Sequence, residues 1–287
     1  MSTSRSVPPS GRDLILSGAE KLGGYSTNPM LDAQLLLGEV TGTTRTHVML
    51  LEEISPNQIA TFLSYIDRRM SGEPIQYITG RAYFRNLVLE VGPGVLIPRP
   101  ESEEIVSAVI SKIERLQTPR VLDLGAGSGA LAIAIAHEVS KAKVTAIEKD
   151  EQAFRWLTRN LALTKSSIEV LCADVADFDG AQRFDAVIAN PPYIPDLESH
   201  SDNSDIPDEV RNFEPHSALF GGKEGLEVPS IFIEAAARSL RAGGYLAIEH
   251  HESHGAQIAQ ILSHYFLEPT LHYDFNGRPR WSSGVRR

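Results

Sequence analysis

Asn190-Pro191-Pro192-Tyr193 follows Phe184-Asp185-Ala186-Val187-Ile188-Ala189, an apolar run that reads as a buried strand. At the carboxyl end of a strand, such a tetrapeptide is suited to hold a planar NH2 group while its nitrogen is alkylated. A nitrogen of that kind, in an amide or on an aromatic ring, is a poor nucleophile because its lone pair is delocalised. The Asn190 side-chain oxygen can accept one N–H and the Pro191 carbonyl the other, which turns the lone pair toward an incoming methyl group. Two consecutive prolines restrict φ and keep the loop extended, so the acceptors stay aimed. Tyr193 offers a flat face, and Pro192 a further wall, to confine the planar group. A Pro-rich turn leaving a strand would look the same at this level, so a second motif has to agree.

That motif lies upstream. Arg120-Val121-Leu122-Asp123-Leu124 reads as a strand, Gly125-Ala126-Gly127-Ser128-Gly129 as a turn without bulky side chains, and Ala130 to Ala136 as the start of a helix. Glycines let the backbone approach a ligand closely, and a helix amino terminus favours carboxylate or phosphate. The spacing is Gly-x-Gly-x-Gly and not the dinucleotide Gly-x-Gly-x-x-Gly, although a nicotinamide cofactor or a purely structural turn would compete for the glycines alone. The next apolar run, Val144 to Ile147, ends in Glu148, which can accept hydrogen bonds from a ribose diol. A third run, Ile168 to Leu171, is followed by Asp174-Val175, placed to meet the edge and face of an adenine. Four such positions at successive strand ends would converge on one crevice, because ligands in open parallel sheets bind at the carboxyl edge.

At this point the chain resembles a class I S-adenosylmethionine-dependent methyltransferase acting on amino or amide nitrogen. More closely it resembles the HemK-type family, the peptide chain release factor glutamine N5-methyltransferases. The likeness runs through Gly72-Glu73-Pro74-Ile75-Gln76-Tyr77-Ile78-Thr79-Gly80, Val95-Leu96-Ile97-Pro98-Arg99-Pro100-Glu101-Ser102-Glu103, the glycine loop, the Asn-Pro-Pro-Tyr and Glu214-Pro215-His216-Ser217-Ala218-Leu219-Phe220-Gly221-Gly222. The family pattern usually has Thr at Ser102, Asp at Glu148 and often an aromatic residue at Val175. The resemblance implies that Gly125, Ala126, Gly127, Ser128, Gly129, Glu148, Asp174, Val175 and Asn190 hold S-adenosylmethionine. It implies that Asn190, Pro191, Pro192 and Tyr193 hold a glutamine side chain of the Gly-Gly-Gln motif in a release factor. The expected products are N5-methylglutamine and S-adenosylhomocysteine.

The elements that position these residues divide the chain. Up to residue 73, apolar positions recur at helical spacing: Leu14, Ile15 and Leu22; then Met30, Ala33, Leu36, Leu37 and Val40 behind an Asn28-Pro29 start; then Ile59, Phe62, Leu63 and Ile66 behind a Ser55 to Gln58 capping box. This predicts a small helical bundle, which the resemblance makes a platform for a protein substrate. Residues 74–98 read as a β-hairpin linker, with Tyr77-Ile78, Tyr83-Phe84 and Leu87 to Val91 as strand segments and Arg85-Asn86 near the turn. From 99 to 287, strands and helices alternate as in an α/β domain with a mostly parallel sheet. A helix over Ile231 to Ala237 is expected to end around Ala242-Gly243-Gly244, before the fifth core strand, Tyr245 to Glu249. Asn276-Gly277 predicts a C-terminal antiparallel hairpin, the arrangement class I methyltransferases show. The polar segment from Ile194 to Glu214 is expected to be a lid, with Gly221-Gly222 and Gly225 as its hinge.

Charge and composition narrow the partners. The 287 residues carry 27 Lys plus Arg against 37 Asp plus Glu, a formal charge of −10, and no basic block with interleaved aromatics. That balance counts against direct nucleic-acid binding, whose affinity rests largely on phosphate contacts, and suits a basic protein. Arg68-Arg69 and Arg278-Pro279-Arg280 read as solvated surface. No apolar stretch is long enough for a membrane span. Residues 1–9 lack the apolar core of a signal peptide and read as a disordered lead. The one cysteine, Cys172, excludes an internal disulfide and reads as a small buried filler. A cytoplasmic monomer is expected. His250, His251 and His254 around Glu252 lack the His-Glu-x-x-His spacing of zinc proteases, so no metal is expected. Three alternatives stay open at this level: a ribosomal protein glutamine methyltransferase, an adenine-N6 nucleic-acid methyltransferase, and a binding scaffold without activity.

Overall fold

The computed structural model describes residues 9–200 and 206–287. The expected N-terminal lead falls almost wholly outside that range, as do residues 201–205 of the polar segment. The chain forms two compact units, one from the chain up to Gly80 together with Asp208–Phe213, the other from Arg81–Pro207 and Glu214–Arg287.

In the first unit the helix starts are written in local chemistry. Ser10 and Asp13 cap α1 (Gly11–Lys21) reciprocally, and Asn28 with Pro29 starts α2 (Pro29–Thr41), which ends at the left-handed Gly42. Ser55 and Gln58 form the capping box of α3 (Pro56–Met70). Leu14, Ile15, Leu36, Leu37, Phe62 and Ile66 from these three helices make one apolar core. The Tyr77-Ile78 segment is not a strand: Ile75–Thr79 is a short helix, α4, closed by the left-handed Gly80, and Ile78 joins this helical core. Arg69 is not solvated surface either. It is buried, with Nε 2.8 Å from Asp32 Oδ2 and Nη1 2.7 Å from Glu209 Oε2. A buried guanidinium needs such partners, because an unpaired charge inside a protein is costly.

The second unit begins with a hairpin, β1 (Arg81–Phe84) and β2 (Leu87–Glu90), turning at Arg85-Asn86. Then come α5 (Ser102–Ile113), β3 (Arg120–Leu124), α6 (Ala130–Glu138), β4 (Lys143–Glu148), α7 (Glu151–Thr164), β5 (Glu169–Cys172) and β6 (Phe184–Ala189). After β6 the chain contributes α8 (Asp208–Phe213) to the first unit. It continues through α9 (His216–Leu219), α10 (Glu227–Ser239), β7 (Leu240–Glu249), α11 (Gly255–Ser263), β8 (Phe266–Tyr273) and β9 (Pro279–Arg286). The sheet order is β5-β4-β3-β6-β7-β9-β8, parallel from β5 through β7 and antiparallel at β9 and β8. Alternate residues of the parallel strands serve opposite faces. Val121, Ile188 and Ala247 pack with α5 and α6, whereas Leu122, Val187 and Leu246 pack with α10 and α11. The order reverses direction beside β3, and a doubly wound sheet opens its crevice at such a point.

Three further expectations are corrected here. The helix before β7 ends at Ser239, and Ala242-Gly243-Gly244 lie inside β7, where the register against β6 shifts between Phe184 and Ala186. Cys172 is exposed, because β5 is an edge strand and Cys172 is its last residue. Arg280 is largely buried beside Asp274, at 3.4 Å, and is not a solvated surface residue.

Candidate active site

Sheet register sets the site. Leu124 pairs with Ile147 and with Ala189, and Ala189 pairs with Ile248. The next position on each strand is therefore brought to one edge: Gly125, Glu148, Asn190 and Glu249. Beyond them, at the end of β5, stand Asp174 and Val175.

The glycine loop is tied down from below. Ala126 N donates to the Ile147 carbonyl at 2.8 Å, Gly127 N to Glu148 Oε2 at 2.8 Å, and Asn160 Nδ2 to the Ser128 carbonyl at 2.9 Å. Gly127 and Gly129 hold φ of 55° and 85°, a region L side chains rarely adopt. Asp123, wholly buried beneath the loop, accepts from Ala132 N at 3.0 Å and fixes the start of α6.

Above the loop lies a cavity of about 320 Å³, lined by Gly125, Ala126, Gly127 and Ser128, by Glu148, Asp174 and Val175, and by Asn190 and Pro192. Gly129, Pro191 and Tyr193, singled out in the sequence, do not line it. The wall suits the donor that the glycine loop predicts. Nothing stands within 4 Å of where a Gly127 Cβ would project, so the loop leaves space for a ligand to lie against the backbone. Glu148 takes one amide on each oxygen, from Gly127 and from Asp150, leaving lone pairs for a diol. Burial pushes its carboxyl above the usual range, and the Asp150 and Gly127 amides pull it back. Asp174 is held below its usual range, first by the Ala176 N–H and also by Lys149.

Asn190 is held in a chain of side chains. Its Nδ2 lies 3.2 Å from Ser102 Oγ; Ser102 Oγ lies 2.6 Å from Glu249 Oε2; Tyr193 Oη lies 3.0 Å from Glu249 Oε1. Glu249 is 1% exposed, and burial raises its carboxyl, against the pull of Ser102, Tyr193 and Arg280. Burial and the Glu249 charge together raise the Tyr193 phenol, which stays protonated. The sequence reading gave Tyr193 a face for the substrate; in the structure its hydroxyl holds Glu249.

Sequence reasoning missed Ser102, Glu249 and the Arg99–Glu214 pair. Glu214 is buried, accepting from Ile97 N at 3.0 Å and from Arg99 Nη2 at 2.6 Å, and Arg99 lines the cavity. The expected hinge glycines do something else. A Cβ at Gly221 would lie 2.5 Å from the Pro192 carbonyl oxygen, and one at Gly225 2.3 Å from that of Tyr193. They permit close packing on the Asn-Pro-Pro-Tyr loop, which Tyr193 N, Ile194 N and Gly221 N also pin through backbone bonds. His250 is structural. Burial lowers His250 to about 4, so the ring is neutral near pH 7; Nδ1 donates to the His251 carbonyl at 2.8 Å and Nε2 accepts from Ser282 at 2.9 Å. Among the described residues no cluster of His, Cys, Asp or Glu is placed to hold a metal ion.

A doubly wound sheet with a terminal antiparallel hairpin, carrying a glycine loop, an acidic strand end and an Asn-Pro-Pro-Tyr at its carboxyl edge, defines a class I methyltransferase. The fold is shared with the 16S rRNA N2 G1207 methyltransferase of T. thermophilus, with a TM-score of 0.52, 23% identity, and coverage of 72% of this chain and 50% of that one. The methyltransferase small domain matches residues 105–205, and the PrmC N-terminal domain matches 13–80. Release factor glutamine methyltransferases from Mycolicibacterium smegmatis and Bifidobacterium longum are 37% and 38% identical to this chain. The first alignment covers 90% of this chain and 91% of the relative, the second 95% and 98%. The chain belongs to the release factor glutamine methyltransferase family.

Proposed function

We propose that this enzyme methylates the side-chain amide nitrogen of the Gly-Gly-Gln glutamine in peptide chain release factors. One observation carries the chemistry: Asn190 stands on the cavity wall with its Nδ2 donated to Ser102, which leaves Oδ1 to accept from a substrate N–H. The curated relatives bear the name of this reaction over nearly the whole chain, which favours it over a ribosomal protein glutamine or a nucleic-acid amine. S-adenosylmethionine, when bound, supplies an electrophilic methyl group on a sulfonium.

The residues do the rest. Gly125 to Ser128 give the donor a close backbone surface, with Gly129 shaping the turn behind them. Glu148 accepts from its ribose, and Asp174 and Val175 meet its adenine. Asn190 Oδ1 accepts an amide N–H and orients the nitrogen for in-line attack, Pro192 confines it, and Tyr193 acts from behind the wall by holding Glu249. Catalysis is mainly orientation and fixed polar acceptors. The alkylated amide is so weak a base that its proton passes to water without a dedicated group. The helical unit docks the release factor. The formal charge of −10 fits a basic protein partner better than a nucleic acid. The enzyme acts as a cytoplasmic monomer.

The test is methyl transfer from labelled S-adenosylmethionine to purified release factor, beside a factor whose Gly-Gly-Gln glutamine is replaced. Label enters only the native factor, and Asn190→Ala abolishes transfer while S-adenosylmethionine still binds. Label in ribosomal protein or nucleic acid instead would overturn the choice of substrate; full turnover by Asn190→Ala would overturn the role of Asn190.

A further inference from the structure

We infer that Ser102 and Glu249 are positioning residues for this reaction, fixing which edge of the Asn190 amide faces the cavity; the inference rests on the role of Asn190 given above. The two edges of a carboxamide are nearly alike in shape but opposite in function, one accepting and the other donating. Packing therefore discriminates poorly between them, and hydrogen bonds must choose. Presented with its NH2 edge outward, Asn190 would meet a substrate NH2 donor to donor, with no bond between them.

The choice is made two residues away. Ser102, at the start of α5, is 2% exposed and lies between Asn190 and Glu249. Its hydroxyl has one proton. Ser102 Oγ donates that proton to Glu249 Oε2 at 2.6 Å. The Ser102 oxygen then has only lone pairs to offer Asn190, and Nδ2 is the edge that fits. The run Asn190 Nδ2–H to Ser102 Oγ–H to Glu249 is thus polarised in one sense, with Oδ1 directed to the substrate.

Glu249 is itself held. Tyr193 Oη donates to its second oxygen at 3.0 Å, and β7 lies in register with the strand that carries Asn190. Both ends of the Asn-Pro-Pro-Tyr tetrapeptide are thereby referred to one carboxylate. A glutamine at 249 could not accept from both hydroxyls, because one of its two polar atoms is a donor.

The experiment compares Ser102→Ala, Ser102→Thr, Glu249→Gln and Asn190→Ala for S-adenosylmethionine affinity by calorimetry, and for kcat and KM on release factor. Ser102→Ala is expected to lower kcat by about tenfold or more, with cofactor Kd and release factor KM changed less than about twofold. Ser102→Thr keeps a hydroxyl and restores most of kcat, whereas Glu249→Gln lowers kcat. Wild-type kcat in Ser102→Ala, with Asn190→Ala inactive, overturns this inference and leaves the proposed function standing. An active Asn190→Ala overturns the role of Asn190 and this inference with it. A Ser102→Ala defect that appears equally in cofactor Kd and that Thr does not repair shows a packing role and overturns positioning. Unchanged kcat in Glu249→Gln removes Glu249 from the scheme.

Discussion

Gly127 and Gly129 stand two residues apart with similar backbone conformations, yet different surroundings constrain them. At Gly127 an added Cβ meets no atom within 4 Å, and the residue lines the cavity. An alanine there costs the protein only left-handed strain, about 1 kcal/mol, while its methyl group enters space the donor needs. At Gly129 an added Cβ would lie 2.5 Å from Leu157 Cδ1 and 3.0 Å from Ile133 Cδ1, so overpacking adds roughly 1–3 kcal/mol to that strain. Gly127→Ala is therefore expected to weaken S-adenosylmethionine binding by about tenfold or more with a small change in Tm. Gly129→Ala is expected to lower Tm by clearly more. Calorimetry and thermal melts on both variants check the ranking, and the reverse order would mean that Gly127 serves the fold and not the ligand. At this scale the sequence was legible where a rare residue type sat at a strand end, as at Glu148 and Asn190. The same rule carried one strand further reaches Glu249, one residue after Ile248. Ser102 gave no such signal, because the carboxylate that defines its job is 147 residues away.

Elements were legible where their ends carry local chemistry, and the β3–α6 connection shows how burial then tunes one of them. Asp123 is fully buried, accepts one backbone N–H, and has burial push its carboxyl up to about 7 from an ordinary 3.8. The folded state thus binds this proton more tightly than the unfolded chain. Its contribution to stability is fully present below about pH 4 and is lost as pH rises toward 7, with a slope approaching about 1.4 kcal/mol per pH unit. Asp123→Asn keeps an acceptor for Ala132 N and removes the titration. The difference in urea midpoint between wild type and variant should drift from pH 4 to 7 and then level off; a difference independent of pH would show that Asp123 does not titrate in this window. The helix starts at Ser10, Asn28 and Ser55 satisfy orphan amides within a few residues, so sequence sufficed for them. Tyr77-Ile78 did not suffice, because two apolar neighbours fit a strand or a single helical turn equally well. The left-handed Gly80 that closes α4 was the available sign. Gly243-Gly244 misled in the opposite sense: they resemble a helix end and lie in a strand whose register they help to shift.

At the scale of the whole molecule, the change of periodicity set the end of the helical unit at residue 73, whereas the compact unit runs through α4 to Gly80, and the return of Asp208–Phe213 to it was not legible. Arg69 takes part in that return, with partners Asp32 and Glu209 that come from sequence positions 37 residues before it and 140 after it. Pairings over such distances leave no local pattern. Each unit nevertheless has its own apolar core, and every residue lining the cavity belongs to the second. The division makes a prediction. Phe62 is fully buried in the helical core, packed near Gly18, and Phe62→Ala should remove about 3–5 kcal/mol from that unit. A loss of that size can unfold a small helical unit whose total stability lies between about 5 and 15 kcal/mol. Cofactor affinity should remain near wild type, because the glycine loop, Glu148, Val175 and Asn190 are unaffected. Transfer to release factor should fall mainly through KM if the helical unit docks the substrate. Calorimetric titration with S-adenosylmethionine, run beside steady-state kinetics on release factor, separates the two. Cofactor binding lost in parallel with transfer would show that the second unit depends on the first for its fold, and unchanged KM would remove the helical unit from substrate docking.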